Sequence, residues 1–376
     1  MRRCSVFVAL ALTACGRQAP APDAGLPPGA LLSADGGGCR KLLDALRGME
    51  GTAIAASAAE AEQRIAGCAE VEARSTGELG ALLLSLSCAT PSADLAALRA
   101  IRGPHAIAFA LPIEDGERLV GTVDVASDGT VSAIAVLPAA PANDPLRMVL
   151  PAEAPPGPPN LASAGALLHA RLRSDGGLAA VARSATENGA RDGQSLLKLR
   201  GDLLLGAVFT GVWEASLYVP DEGYEVPHPV VAFDFTNRRA AVAAMEAFVA
   251  DVLARWPVHR TDLAIGEARG ACVGNLSVMP ELAPCYVATD RAVLIGWNQR
   301  SLERALAPGG TTDLGPSGGA VVHVDRFAEA DARIASTRGA APAPPLPSPW
   351  DRLEIVADHD AGGYRFRATL LPRGAP

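Results

Sequence analysis

Apolar positions recur along this chain with two different periods, and the change of period divides it. From Cys39 to Arg102 the spacing is helical. Leu42, Leu43, Leu46 and Met49 make one stripe that stops at Gly51, and "TAIAASAAEAEQRIAGC" follows as an alanine-rich second helix. "GELGALLLSLSC" and "SADLAALRAIRG" predict a third and a fourth helix, the last with Ser92 as its N-cap. The expectation is a helical subdomain over 39–103.

At Pro104 the period shortens towards two. "HAIAFALPI", "RLVGTVDVAS" and "TVSAIAVLP" are short β-rich runs joined by "EDGE" and "SDGT", and Asp-Gly between such runs signals a hairpin. An antiparallel meander over 104–150 is expected, followed by a Pro-rich connector over 151–162.

From 163 to 376 strands and helices mix in what reads as one α+β domain. "ALLHARLR" predicts a strand, "GGLAAVARSATENG" and "DGQSLLKLRGDLLLGAV" helices, and "VWEASLYV" with "HPVVAFDFT" a strand pair. Asn237–Trp256 is the clearest helix, with Val242, Met245, Val249, Val252 and Trp256 as its apolar stripe and Pro257 as its stop. A hairpin turning at Thr289-Asp290, the helix "QRSLERALAP" and a last hairpin around "HDAGG" close the chain. The fold class expected is α+β: antiparallel sheets with covering helices, a helical N-terminal subdomain, and an internal strand–helix duplication. That duplication rests on "LLHARLRSDGGLAAVARSATENGA" and "VVHVDRFAEADARIASTRGAA", where His169 and His323 hold the same place in two strands, each followed by an alanine-rich helix.

The N-terminus adds a compartment. Arg2 and Arg3 precede an apolar core from Val6 to Leu12, far short of the roughly twenty residues a spanning helix needs. Leu12-Thr13-Ala14-Cys15 then resembles the lipobox of bacterial lipoproteins. The resemblance implies cleavage before Cys15, acylation of its thiol, and a mature chain tethered by residues 15–38. Gly16 after the cysteine implies the outer membrane, facing the periplasm or the cell surface. "ATDRAVLIGWNQRSLERALA", with the strand–helix outlines before it, resembles an uncharacterised family of exported bacterial proteins over residues 163–340. That resemblance supports export and fold and implies no chemistry.

Composition narrows the partners. Removing residues 1–14 moves the formal charge from −8 to about −10, with no basic cluster, so neither nucleic acid nor an electrostatic grip on anionic headgroups is expected. The membrane contact is the lipid itself. At 49% hydrophobic the chain can bury a core. In an oxidising compartment the cysteines read as disulfides. Cys272 and Cys285 flank a short loop and are expected to pair. An antiparallel helix pair would bring Cys39 to Cys68, leaving Cys88 free.

No GxSxG elbow, P-loop, GxGxxG after a strand, or HExxH is present, and no CxxC or HxxxH spacing suggests a metal, so no cofactor is expected. His323 and Asp325, two apart on one strand, share a face and could form a base-orienting pair or two metal ligands, with His169 as their echo. The same residues also serve as plain polar decoration of a sheet. The function expected is a membrane-anchored, non-catalytic binding or scaffolding module. The alternatives are a carrier for a hydrophobic ligand such as a lipid, and a hydrolase centred on His323 and Asp325.

Overall fold

The computed structural model describes residues 30–49, 52–75, 79–89, 95–112, 118–137, 155, 157–173, 209–221, 223, 227–274, 283–307, 318–341, 348–360 and 363–374. The signal and lipobox, Ser92 and the two helices expected over 176–208 lie outside those residues.

The chain is a sheet-dominated α+β fold. In order it forms β1 (Ala30–Asp35), α1 (Gly36–Arg47), α2 (Ala53–Arg64), β2 (Glu70–Ser75), α3 (Leu79–Leu84), β3 (Ser87–Cys88), α4 (Ala96–Arg102), β4 (Ile107–Pro112), β5 (Arg118–Val125) and β6 (Val131–Leu137). Then follow β7 (Ala166–Arg173), β8 (Phe209–Tyr218), β9 (His228–Phe235), α5 (Arg238–Arg255), β10 (His259–Ile265), β11 (Ala268–Gly274), β12 (Cys285–Ala288) and β13 (Ala292–Gly296). The last elements are α6 (Gln299–Ala305), β14 (Gly319–His323), α7 (Arg326–Thr337), β15 (Trp350–Asp360) and β16 (Gly363–Pro372).

Two compact units result. The first holds residues 1–140, 322–325 and 345–376; the second holds 141–321 and 326–344. In the first unit the strands run β15-β16-β6-β5-β4-β1-β2-β3. The predicted meander is there as β4, β5 and β6, with Gly129 at φ +88° in the "SDGT" turn, where the Thr130 amide donates to the Asp128 carboxylate at 2.9 Å.

Three expectations need correction in this unit. Residues 30–38 are not tether: Ala30–Ala34 is a buried strand between β2 and β4, and Asp35 caps α1 by accepting from the Gly38 amide at 2.8 Å. Residues 39–103 are not purely helical, because Glu70–Ser75 pairs with β1 and its polar Glu-Val-Glu-Ala-Arg alternation buries only Val71 and Ala73. The final hairpin does not belong to a 163–376 domain, since β16 pairs with β6 from Tyr364↔Leu137 to Leu370↔Val131. Each error has the same origin. Pairing partners far apart in sequence leave no local signal, whereas hairpins do.

The glycine triplet opening α1 looks unfavourable for a helix. Close packing explains Gly36, whose Cβ would lie 1.9 Å from the Cys68 carbonyl oxygen. Leu42, Leu43 and Leu46 are buried as predicted, together with Cys39.

In the second unit the order is β10-β11-β12-β13-β9-β8-β7, followed by residues 319–321 of β14. The strand pairs predicted for β8–β9 and β12–β13 are present, and α5 starts where the predicted helix does, with Asn237 as its N-cap accepting from the Ala240 amide at 3.1 Å. Its buried stripe is Ala241, Ala244, Met245 and Val249, packed on Ala271, Tyr286, Ala288 and Val293 of one sheet face. The other face is covered by α6 and the segment around Leu161, with Leu302 and Ala305 against Tyr218, Val230, Val287 and Leu294.

Candidate functional site

The buried face of β7, β8 and β9 is unusually polar. Strand alternation places Glu214, Ser216 and Tyr218 on the same side of β8, and each is under 4% exposed. Register then sets Arg171 beside Glu214 and His169 beside Ser216 from β7, and His228 beside Tyr218 from β9.

Glu214 is the centre of this row. Its carboxylate accepts from Arg171 Nε at 3.0 Å, from the Asn160 amide at 2.8 Å, from Asn160 Nδ2 at 3.2 Å and from the Leu161 amide at 3.0 Å. Asn160 Nδ2 also donates to Asp234 on β9. The described part of the Pro-rich connector is thereby fixed to the sheet through backbone donors that would otherwise be buried without acceptors. Burial pushes the Glu214 carboxyl above its ordinary range, with the nearby Asp234 charge adding to it, while the Asn160 and Leu161 amides and Arg171 pull the other way. Asp234 is raised as well, again chiefly by burial.

The rest of the row is also occupied. His169 Nδ1 lies 2.7 Å from Ser216 Oγ. The Tyr218 hydroxyl donates to the Ala162 carbonyl at 2.6 Å, and burial pushes its pKa up to about 12. His228 is held below the ordinary imidazole value, first by burial and then by Arg304 and Arg300, against the pull of Asp221. Arg304 lies 6.0 Å from the Tyr218 ring centroid and donates to the Val219 carbonyl.

A separate open cleft of about 480 Å³ lies beside the Cys272–Cys285 disulfide, lined by His259, Thr261, Asn298, Gln299, Arg300 and Glu303 among others. Cys272 and Cys285 stand directly opposite each other in the β11–β12 ladder, so the expected bridge closes a cross-strand pair.

The other cysteine expectation is overturned. Cys68 bonds to Cys88, not to Cys39. The reason is β2, which pairs Val71 with Cys88 of β3 and so draws residue 88 back to the end of α2. Among the described cysteines Cys39 is the free thiol, buried in α1, with its pKa pushed to about 12 by burial and by the neighbouring Asp35 charge.

His323 and Asp325 do not share a strand face. Strand β14 ends at His323, and Asp325 lies beyond it, where its amide and that of Val324 donate to the Asp351 carbonyl at the entry to α7. The alternation that put both on one side therefore does not apply. His169 sits instead in the buried row of β7 and β8; the second outline is described as strand and helix, β14 and α7, whereas the helix after β7 lies outside the described residues. Among the described residues no group of three or more His, Cys, Asp or Glu side chains could hold a metal.

The row around Glu214 escaped sequence reading for a physical reason. "VWEASLYV" and "HPVVAFDFT" place apolar residues on both faces, so a Glu or Asp among them reads as an exposed interruption. The available signal was parity: Glu214 is in phase with Tyr218, and Asp234 with His228.

Comparison of the chain with protein-family models, with curated proteins and with solved structures finds no match.

Proposed function

We propose that this is a lipid-anchored protein of the bacterial cell envelope, attached through Cys15, whose folded units act as a non-catalytic binding or scaffolding module. The observation that carries the reading is how the buried ionisable groups are used. Glu214 has four internal donors, Asp234 and Arg171 are tied into the same network, and together they fix a connector onto the sheet. Such groups hold a frame rigid; a general acid or base must keep a position open towards substrate.

Two disulfides support export to an oxidising compartment, since such bonds persist there and are rare in a reducing cytosol. The lipobox motif supports the anchor.

The test is native mass spectrometry of the whole chain recovered from membranes in mild detergent. The reading expects the mass of polypeptide plus anchor, or a whole multiple of it, with no noncovalent lipid beyond it. A stoichiometric lipid released on denaturation would replace it with the carrier reading. Ester or amide hydrolysis lost in His323→Ala would replace it with an enzyme.

A further inference from the structure

Strand β10 ends the sheet order of the second unit, with β11 on one side and no strand of the described residues on the other. Its seven residues pair with β11 in unbroken register, from His259↔Gly274 to Ile265↔Ala268. Edge strands are commonly protected by charged side chains, above all lysine, by proline, by a bulge or by short length, and the charges on this strand are Arg260 and Asp262. Here there is no lysine or proline within the strand and no bulge. The first four residues are exposed, and only Leu263 is buried.

The charges on this strand are patterned in a way that selects a partner. Arg260 and Asp262 lie on the face towards α5, with Arg260 Nε donating to Asp262 at 2.9 Å and Arg260 Nη2 donating to Glu246 at 3.0 Å. The Asp262 side chain is 84% exposed.

When two copies of β10 pair antiparallel about a two-fold axis normal to the sheet, opposed residues must share a face, so positions of equal parity meet. Three such registers set one of these charges opposite another. Centring on Arg260 opposes Arg260 to its own copy, and centring on Asp262 opposes Asp262 to its own copy. Centring on Thr261 sets each Arg260 opposite the other copy's Asp262 and the two threonines opposite each other. Opposite charges and Thr–Thr are favourable cross-strand pairs, and like charges are unfavourable.

We infer that β10 is a pairing edge at which two copies of this chain join their sheets in the register centred on Thr261. The inference is independent of the reading of Glu214 and of the anchor.

Sedimentation equilibrium on the whole purified chain in detergent, over a micromolar concentration series, tests it with two charge reversals. The wild type is expected to dimerise. Asp262→Arg sets arginine against arginine and keeps the Arg260–Glu246 pair; Arg260→Asp sets acid against acid. Each should weaken dimerisation roughly tenfold or more. An equal mixture of the two variants restores opposite charges at both pairs and should dimerise again as the heterodimer. Thermal melting of each variant separates loss of pairing from loss of fold, and Asp262→Arg against wild type decides alone should Arg260→Asp not fold. A wild type that stays monomeric, a dimer indifferent to Asp262→Arg, or folded variants whose mixture stays monomeric would each overturn the proposal.

Discussion

Arg171 and Glu214 face each other in direct register on neighbouring strands, Nε to Oε1 3.0 Å apart, with the glutamate side chain fully withdrawn from solvent and the arginine nearly so. The pair is the pivot on which the second unit holds its Pro-rich connector. A buried pair of this kind contributes little over an apolar replacement but is costly to break from one side.

Glu214→Ala should therefore destabilise the protein by about 3–5 kcal/mol, because it leaves Arg171 and the Asn160 and Leu161 amides without their acceptor. Arg171→Met should cost a similar amount, and the double variant Glu214→Leu with Arg171→Met less than either single change added to the other. Urea midpoints at fixed slope measure this. Fully additive losses would place the two residues outside one network.

The same row sets a pH dependence with two opposing signs. Glu214 is raised in the folded state, so its contribution is complete in acid and declines as pH rises from the ordinary carboxylate value of about 4 through the folded value. His228 is lowered, so its contribution is complete above the ordinary imidazole value of about 6.5 and is lost as pH falls. Stability profiles of Glu214→Gln and His228→Gln should separate them. The deficit of the first should be largest in acid and shrink towards neutrality. The second should remove part of the acid-side loss, and profiles parallel to wild type would contradict both assignments.

Thiol chemistry gives an independent check on the bridges. Among the five cysteines from Cys39 onward, only Cys39 should alkylate, and only after denaturation, because it is buried and its proton is held to about pH 12. Replacing Cys272 and Cys285 by serine should cost about 3 kcal/mol by the loop-closure argument. Peptide mapping that found Cys39 joined to Cys68 would contradict the pairing with Cys88.

Two glycines should respond differently to alanine. A Cβ at Gly270 would lie 1.9 Å from the Tyr286 carbonyl oxygen across the β11–β12 ladder, so Gly270→Ala should cost on the order of 3 kcal/mol as the strands separate. Gly67 has φ +80° and open space around it, so Gly67→Ala should cost about 1 kcal/mol from backbone strain alone. Thermal denaturation orders the two, and equal losses would contradict the close approach at Gly270.

What could be read in advance was local. The start of the helix at Asn237, the "SDGT" turn and the Thr289-Asp290 hairpin carry their signals within a few residues, and the structure has all three. The β10–β11 hairpin went unread because "HRTDLAIGEARGACVG" lacks a regular apolar–polar alternation and β10 is mostly exposed. Strand β1 went unread because six residues beside prolines and a glycine triplet resemble a linker until β2 and β4 flank them. For the site, cysteines and histidines drew the eye, whereas the buried row is centred on Glu214, an acid whose role depends on strands brought together from both sides.

The central claim is an envelope protein held by a lipid on Cys15, and one measurement tests it most directly. Mass spectrometry of the N-terminal peptide from the membrane fraction should find a chain that begins at Cys15 and carries the mass of a diacylglyceryl group and an acyl chain. The Cys15→Ser variant should lose both the lipid and the membrane association. A chain beginning at Met1, or one cut elsewhere and recovered unmodified from the soluble fraction, would contradict the account.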